Sequence, residues 1–134
     1  MVFISVTRLR LRSAWFLPAF ILWARRSVKQ AQRSDGNLGA EARQDAHLAF
    51  WTRTAWKDEE SMRAFMFAEP HRIVMGKLTK WCDEAAVVHW TQEDPALPGW
   101  KEAHRRLVTE GRRSRLRRPS EAHEKFEIPP PKGS

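Results

Sequence analysis

The 134-residue chain has one cysteine, Cys82, no tyrosine and only six glycines. A single thiol excludes an intrachain disulfide framework and any zinc or iron–sulfur site built on clustered cysteines. The first 33 positions contain no acid and seven basic residues, Arg8 to Arg33. No apolar stretch reaches the roughly 20 residues that a membrane-spanning helix needs. The most apolar one, AWFLPAFILWA at 14–24, runs into Arg25-Arg26 rather than a small-residue cleavage site, so it reads as neither a span nor a signal peptide. Without an export signal, a reducing cytoplasm is the expected location. Glycine loops for phosphate, zinc motifs and nucleophile elbows are also missing. His47, His71, His89 and His104 lack the short spacing of a helix-borne metal pair, so no metal site is expected.

What is present is a globular composition. Apolar residues make up 42%, with seven Trp and seven Phe, enough for one domain with a real core. The net charge of +8 sits at the ends, because residues 34–104 carry 8 basic and 12 acidic side chains. Arg105–Arg118 has seven basic residues but no groove-reading motif or stacking set, so nucleic acid is not the expected partner.

Val2, Ile4 and Val6 alternate with Phe3, Ser5 and Thr7, the period of a strand. The apolar parity flips at Leu9 and Leu11, which predicts a bulge or strand end near Thr7; Arg8, Arg10 and Arg12 then share one side, which could hold an anionic ligand, though a solvated strand end is the preferred reading. Pro18 suits a first helical turn, and Phe20, Trp23 or Ala24, Ser27 or Val28, and Ala31 recur at helical spacing, predicting a helix over 18–34. Its polar face is basic, which admits a membrane-surface contact, though packing on the protein's own sheet is the preferred reading. Residues 38–45 alternate weakly. In 49–57, Phe50, Thr52, Thr54 and Trp56 oppose Trp51, Arg53 and Ala55. Bulk on both sides predicts a sheet covered twice. Asp58 caps a helix carrying Met62, Phe65 and Met66, and Pro70 opens a second. Residues 84–93 form a fourth strand with Val87 and His89 opposite Val88 and Trp90. A last helix carries Trp100, Ala103, His104, Leu107 and Val108. The domain therefore spans 1–111, and 112–134 reads as a basic, proline-containing mobile tail. Cys82 reads as an inert core thiol on a helix face.

The order strand–helix–strand–strand–helices–strand is an α+β, ferredoxin-like βαββαβ sandwich with an extra C-terminal helix. Within it, Thr52–Leu78 resembles the antibiotic biosynthesis monooxygenase superfamily, the dimeric α+β barrels. The resemblance is carried by Trp56 ending a strand, Asp58-Glu59-Glu60 opening a helix, Met62 and Phe65 along it, and Pro70-His71 at the next turn. Leu38 to Trp56 is similar to the spheroidene monooxygenase branch, where a haem has been implicated. The resemblance implies a homodimer with two sheets face to face and an apolar or aromatic small-molecule ligand in a sheet–helix pocket. It also implies oxygen-dependent chemistry, with no cofactor or with haem. A non-catalytic dimeric ligand-binding or structural module of the same fold is the alternative, and a basic-ended adaptor a further one.

The candidate catalytic residues are His71, His89 and Arg53. A neutral imidazole at 71 suits a haem ligand or a general base, with Arg43, Arg53 or Arg72 for the propionates; the structural alternative is a helix-junction hydrogen bond. Arg53 either pairs with a carboxylate in the core or reads an anionic substrate. Trp51, Trp56, Phe65 and Trp90 are the expected pocket walls.

Overall fold

The computed structural model describes residues 1–69 and 71–132. Pro70, the expected first-turn proline, and the last two tail residues, 133 and 134, lie outside the described residues. The elements run β1 (Val2–Leu11), α1 (Leu17–Arg33), β2 (Asn37–Gln44), β3 (Ala49–Trp56), α2 (Glu59–Phe67), α3 (His71–Trp81), β4 (Cys82–Gln92), α4 (Trp100–Glu110), β5 (Arg112–Arg113) and α5 (Glu121–Glu124). The sheet order is β2-β3-β1-β4-β5, with β1 antiparallel to both β3 and β4. That is the ferredoxin-like βαββαβ arrangement, extended by α4, β5 and α5.

Local chemistry sets the element ends. Pro18 lies in the first turn of α1, where its missing N–H leaves no bond unmade. Gly36 follows with φ +83°, and a side chain there would collide with Ser61, so glycine is required at this turn. Asp58 caps α2 by accepting from the Ser61 N–H at 2.8 Å, and Glu59 and Glu60 complement the first turn.

The alternation assigned to β3 and β4 holds, and each face has its own cover. On one face Phe3, Ala31, Ala40, Trp56 and Met62 form one buried cluster, and Leu11, Phe20 and Cys82 another. Both lie under α1, α2 and α3. On the opposite face Ile4, Val6, Trp51, Ala55, Ala86, Val88 and Trp90 are buried against Ala103 and Leu107 of α4. Phe126 and Ile128 of the C-terminal segment join that cluster. The second cover demanded by bulky alternation is thus supplied within the chain.

Three expectations need correction. The pairing of β1 runs unbroken past Thr7, and the register shift falls between Arg10 and Leu11. Arg8 is accordingly not solvated: it lies on the face of Ile4 and Val6, buried against Glu84. Residues 112–132 pack along α3 and β4. The Ser114, Arg117 and Ser120 N–H groups donate to the carbonyls of Ala85, Thr79 and Asp83 at 2.9–3.1 Å, and the Ala85 N–H donates to Nδ1 of buried His123. Backbone pairing and isolated anchors hold this segment, and neither leaves a periodic trace in sequence. Finally, Cys82 opens β4 instead of closing the preceding helix, though it is fully buried.

Candidate functional site

The helix-covered face of the sheet is apolar at both ends and polar in the middle. Register places Trp56 beside Phe3 at one end and Phe50 beside Leu9 at the other. Between them, Thr54, Ser5 and His89 form one row across β3, β1 and β4, and Thr52, Thr7 and Val87 form the next. This hydroxyl band separates the two apolar clusters on that face. From above, α1 contributes Ser27, between Ala24 of one cluster and Val28 of the other, and its buried Oγ has no partner among the described residues. Ser5, Thr7, Thr52 and His89 lie beneath the helix layer yet keep part of their surface in solvent.

Only part of the band's hydrogen-bonding capacity is spent internally. Thr54 Oγ1 accepts from Trp56 Nε1 at 2.9 Å. His89 packs tilted against Phe3 with ring centroids 5.2 Å apart. Burial, together with the Arg112 and Arg63 charges, holds its pKa below the usual imidazole value against the opposing pull of Glu59. A neutral imidazole beside hydroxyl groups can accept a proton from an acidic ligand and stabilise the resulting anion.

His71 stands at the start of α3 on the same helix-covered side. It packs on Phe65 at 4.3 Å, and Phe65 packs on Trp56 at 5.3 Å. Its backbone N–H donates to Oε1 of Gln30 at 2.8 Å, and Nδ1 lies 3.4 Å from the Met66 carbonyl. Burial lowers its pKa, outweighing the Met66 contact. The structure therefore gathers His71, Phe65, Trp56 and His89 on one side of the sheet.

Arg53, Trp51 and Trp90 fall on the other side, so the four expected pocket walls do not enclose one space. Their alternate positions in β3 and β4 dictate this separation. Trp51 is fully buried, packed edge-on to Trp100 at 6.4 Å and His104 at 6.2 Å. Trp90 meets the Arg106 guanidinium at 5.0 Å. Arg53 donates to the Pro98 carbonyl at 2.6 Å, pairs with Glu41 and lies 4.1 Å over the Trp100 ring. Its carboxylate partner Glu41 is exposed at the surface rather than in the core.

A haem site fits these residues poorly. His71 and Arg72 lie on the helix side, whereas Arg43 and Arg53 pack against Trp100 across the sheet. The proposed axial donor and most of its propionate partners do not converge. Among the described residues no group of three or more His, Cys, Asp or Glu side chains is placed to hold a metal ion.

The hydroxyl band escaped sequence reasoning, although its signal was present. Phe3-x-Ser5-x-Thr7-x-Leu9 in β1 is mirrored by Trp56-x-Thr54-x-Thr52-x-Phe50 in β3. Two strands with hydroxyls between apolar bookends predict a polar strip once they pair.

This architecture is that of the antibiotic biosynthesis monooxygenase-like proteins. A cofactor-independent oxygenase, SnoaB from Streptomyces nogalater, seen as a variant, superposes with a TM-score of 0.56 at 14% identity, over 69% of this chain and 94% of its own. A Nitrosomonas europaea protein provisionally assigned as an antibiotic biosynthesis monooxygenase gives 0.61 at 18%, over 71% and 93%. A conserved Methanosarcina mazei protein gives 0.62 at 12%, over 69% and 94%. At these identities the likeness is one of fold. The chain belongs to the family described as "Domain of unknown function (DUF3291)", which it matches over residues 24–127. No curated protein sequence matches it. Among the described residues no helix is long and apolar enough to cross a membrane.

Proposed function

We propose that the protein binds an electron-rich aromatic molecule at the helix-side hydroxyl band and oxidises it with dioxygen without a bound cofactor. The observation that carries this reading is the band itself: unspent hydroxyls and a neutral His89 between two apolar clusters. A phenol lying there would give its proton to His89, and Ser5, Thr7 and Thr52 would hydrogen-bond the phenolate. Dioxygen then takes four electrons from the substrate. One oxygen atom becomes a new ring carbonyl, and the other leaves as water with the two displaced hydrogens. The SnoaB-like fold supports this choice over a haem-assisted version.

Oxygen uptake with 1-naphthol tests the proposal, since its oxidation to 1,4-naphthoquinone and water balances. The expected result is turnover that His89→Ala reduces by about 100-fold, the lower range for a general base. Thr52→Val should weaken substrate binding. Absence of both uptake and saturable naphthol binding overturns the reading. Binding without uptake would move the protein to the non-catalytic alternative, for which the tight His71–Phe65–Trp56 stack is the favouring observation.

A further inference from the structure

The sheet uses only one side of α1. Phe20, Val28 and Ala31 pack inward. The outward ridge runs through Trp15, Ala19 and Leu22 and then turns basic at Arg26, Lys29 and Arg33, all of them exposed. These six positions follow helical spacing, so they share one line along the surface. Trp15, in the turn that leads into α1, is 85% exposed, and Leu22 is 50% exposed. A single apolar side chain in water is ordinary on any protein. What distinguishes this pair is its setting.

Three acid-free segments meet at this end of the molecule. Positions 12–33, 72–80 and 112–118 hold thirteen basic residues and no Asp or Glu. The Arg12 N–H donates to the Trp81 carbonyl at 2.9 Å, joining the start of α1 to the end of α3. The Arg117 N–H donates to the Thr79 carbonyl at 3.1 Å, which brings in the third segment. Further along α1, the Trp23 ring stands between the Arg26 guanidinium at 5.2 Å and the Lys77 ammonium at 5.6 Å. Arg113 has Glu124 at 3.9 Å. The other twelve cations make no ion pair among the described residues. On α4, by contrast, Arg105 and Arg106 are paired with Glu102 and Glu110. The positive charge of the chain is therefore neutralised on one side of the sheet and left open on the other, around Trp15 and Leu22.

We propose that this surface docks on an anionic lipid bilayer, with Trp15 and Leu22 at headgroup depth and the open cations over the lipid phosphates. An exposed indole beside an aliphatic side chain and a basic ridge is the combination that an interface between water and lipid rewards. A nucleic-acid backbone would engage the cations but give Leu22 nothing to bury against. A second copy of the chain would set unneutralised cations against one another. The attachment is peripheral, since among the described residues no helix is long and apolar enough to cross the bilayer. It draws on the outer side of the helices and is independent of what the hydroxyl band beneath them does.

Co-sedimentation of the full chain with lipid vesicles tests it. Vesicles of phosphatidylcholine mixed equally with phosphatidylglycerol should bind the protein, and phosphatidylcholine alone should not. Trp15→Ser should weaken binding by about tenfold, the least expected on losing a large apolar anchor. Arg26→Glu should weaken it as well, whereas Lys101→Glu, the same charge change at an exposed position of α4, should leave it unaltered. Trp15, Arg26 and Lys101 are exposed, so melting temperatures should not move. Brominated lipid should quench the tryptophan fluorescence of the wild type and quench Trp15→Phe markedly less, a readout that charge attraction alone does not produce. Equal binding to neutral vesicles, no binding to either kind, or equal effects of Arg26→Glu and Lys101→Glu would each overturn the proposal. So would duplex DNA that displaces the vesicles and depends on Arg26 but not on Trp15, which would assign the open cations to nucleic acid.

Discussion

Arg8 and Glu84 meet across the β1–β4 pair with Nη1 2.7 Å from Oε1, although 76 positions separate them in sequence. Their side chains are 6% and 9% exposed. Arg10 and Ser120 complete the carboxylate's shell, so the pair lies inside a network rather than alone in an apolar medium. Removing one partner strands a buried charge, whereas removing both does not. Glu84→Gln should therefore lose about 3–5 kcal/mol of unfolding free energy at pH 7, and the double change Arg8→Met with Glu84→Met should recover most of it. Urea denaturation measures both. Equal losses in the single and double variants would refute the network.

The same pair sets an acid dependence. Burial alone would raise the Glu84 pKa, but Arg8, Ser120 and Arg10 together hold it below the ordinary carboxylate value. The unfolded chain then binds the proton more readily, so this stabilisation is complete above the ordinary glutamate range and lost as pH falls through the folded value. Neighbouring Asp83 runs the other way, raised chiefly by burial and only partly offset by Arg10. The gap between wild type and Glu84→Gln should therefore close on acidification. A gap that persists under acid would show that the charge is not its source.

His71 and His89 act in a higher window. Burial is the first cause of both lowered values, so each imidazole is neutral in the fold where the unfolded chain begins to protonate. Stability from these groups is whole above about pH 6.5, the ordinary value, and declines as pH drops below it. Histidine ring resonances in NMR should show both titrating below the ordinary imidazole. Either one titrating at or above it contradicts the burial argument.

Cys82 should resist modification. Burial, with a contribution from Asp83, pushes its thiol up to about 12, leaving almost no thiolate at neutral pH. Iodoacetamide labelling should follow unfolding and accelerate sharply through the denaturation transition. Fast labelling of the native chain would place the thiol at a mobile surface.

Deleting residues 112–134 should strip Phe126, Ile128 and His123 from the second face. Apolar area beside Trp51 and Ala86 would then meet water, and such patches associate. Light scattering should show greater self-association than for the full chain, together with enhanced binding of a hydrophobic dye. An unchanged state would mean that the segment adds little to the covering layer.

The strands and α1 were legible because their signals are local: period-2 alternation over Ala49–Trp56 and the helical recurrence from Phe20 through Trp23/Ala24 and Ser27/Val28 to Ala31. The partner of Arg8 was not, since nothing near position 8 announces a carboxylate at 84. The candidate site was half legible. Sequence parity separated Trp51 and Arg53 from Trp56, and His89 from Trp90, but pooling both sets into one pocket ignored the thickness of the sheet between them. The hydroxyl band became visible only when register set Ser5 between Thr54 and His89.

The docked C-terminal segment also changes the terms on which two copies could meet. A barrel closed face to face needs the sheet surface that α4, Phe126 and Ile128 occupy. Because that cover is tethered, it competes at an effective concentration on the order of millimolar. A second chain at micromolar concentration starts about a thousandfold behind for the same surface. For this chain, a second copy seeking that sheet surface would have to displace a ligand the chain already carries.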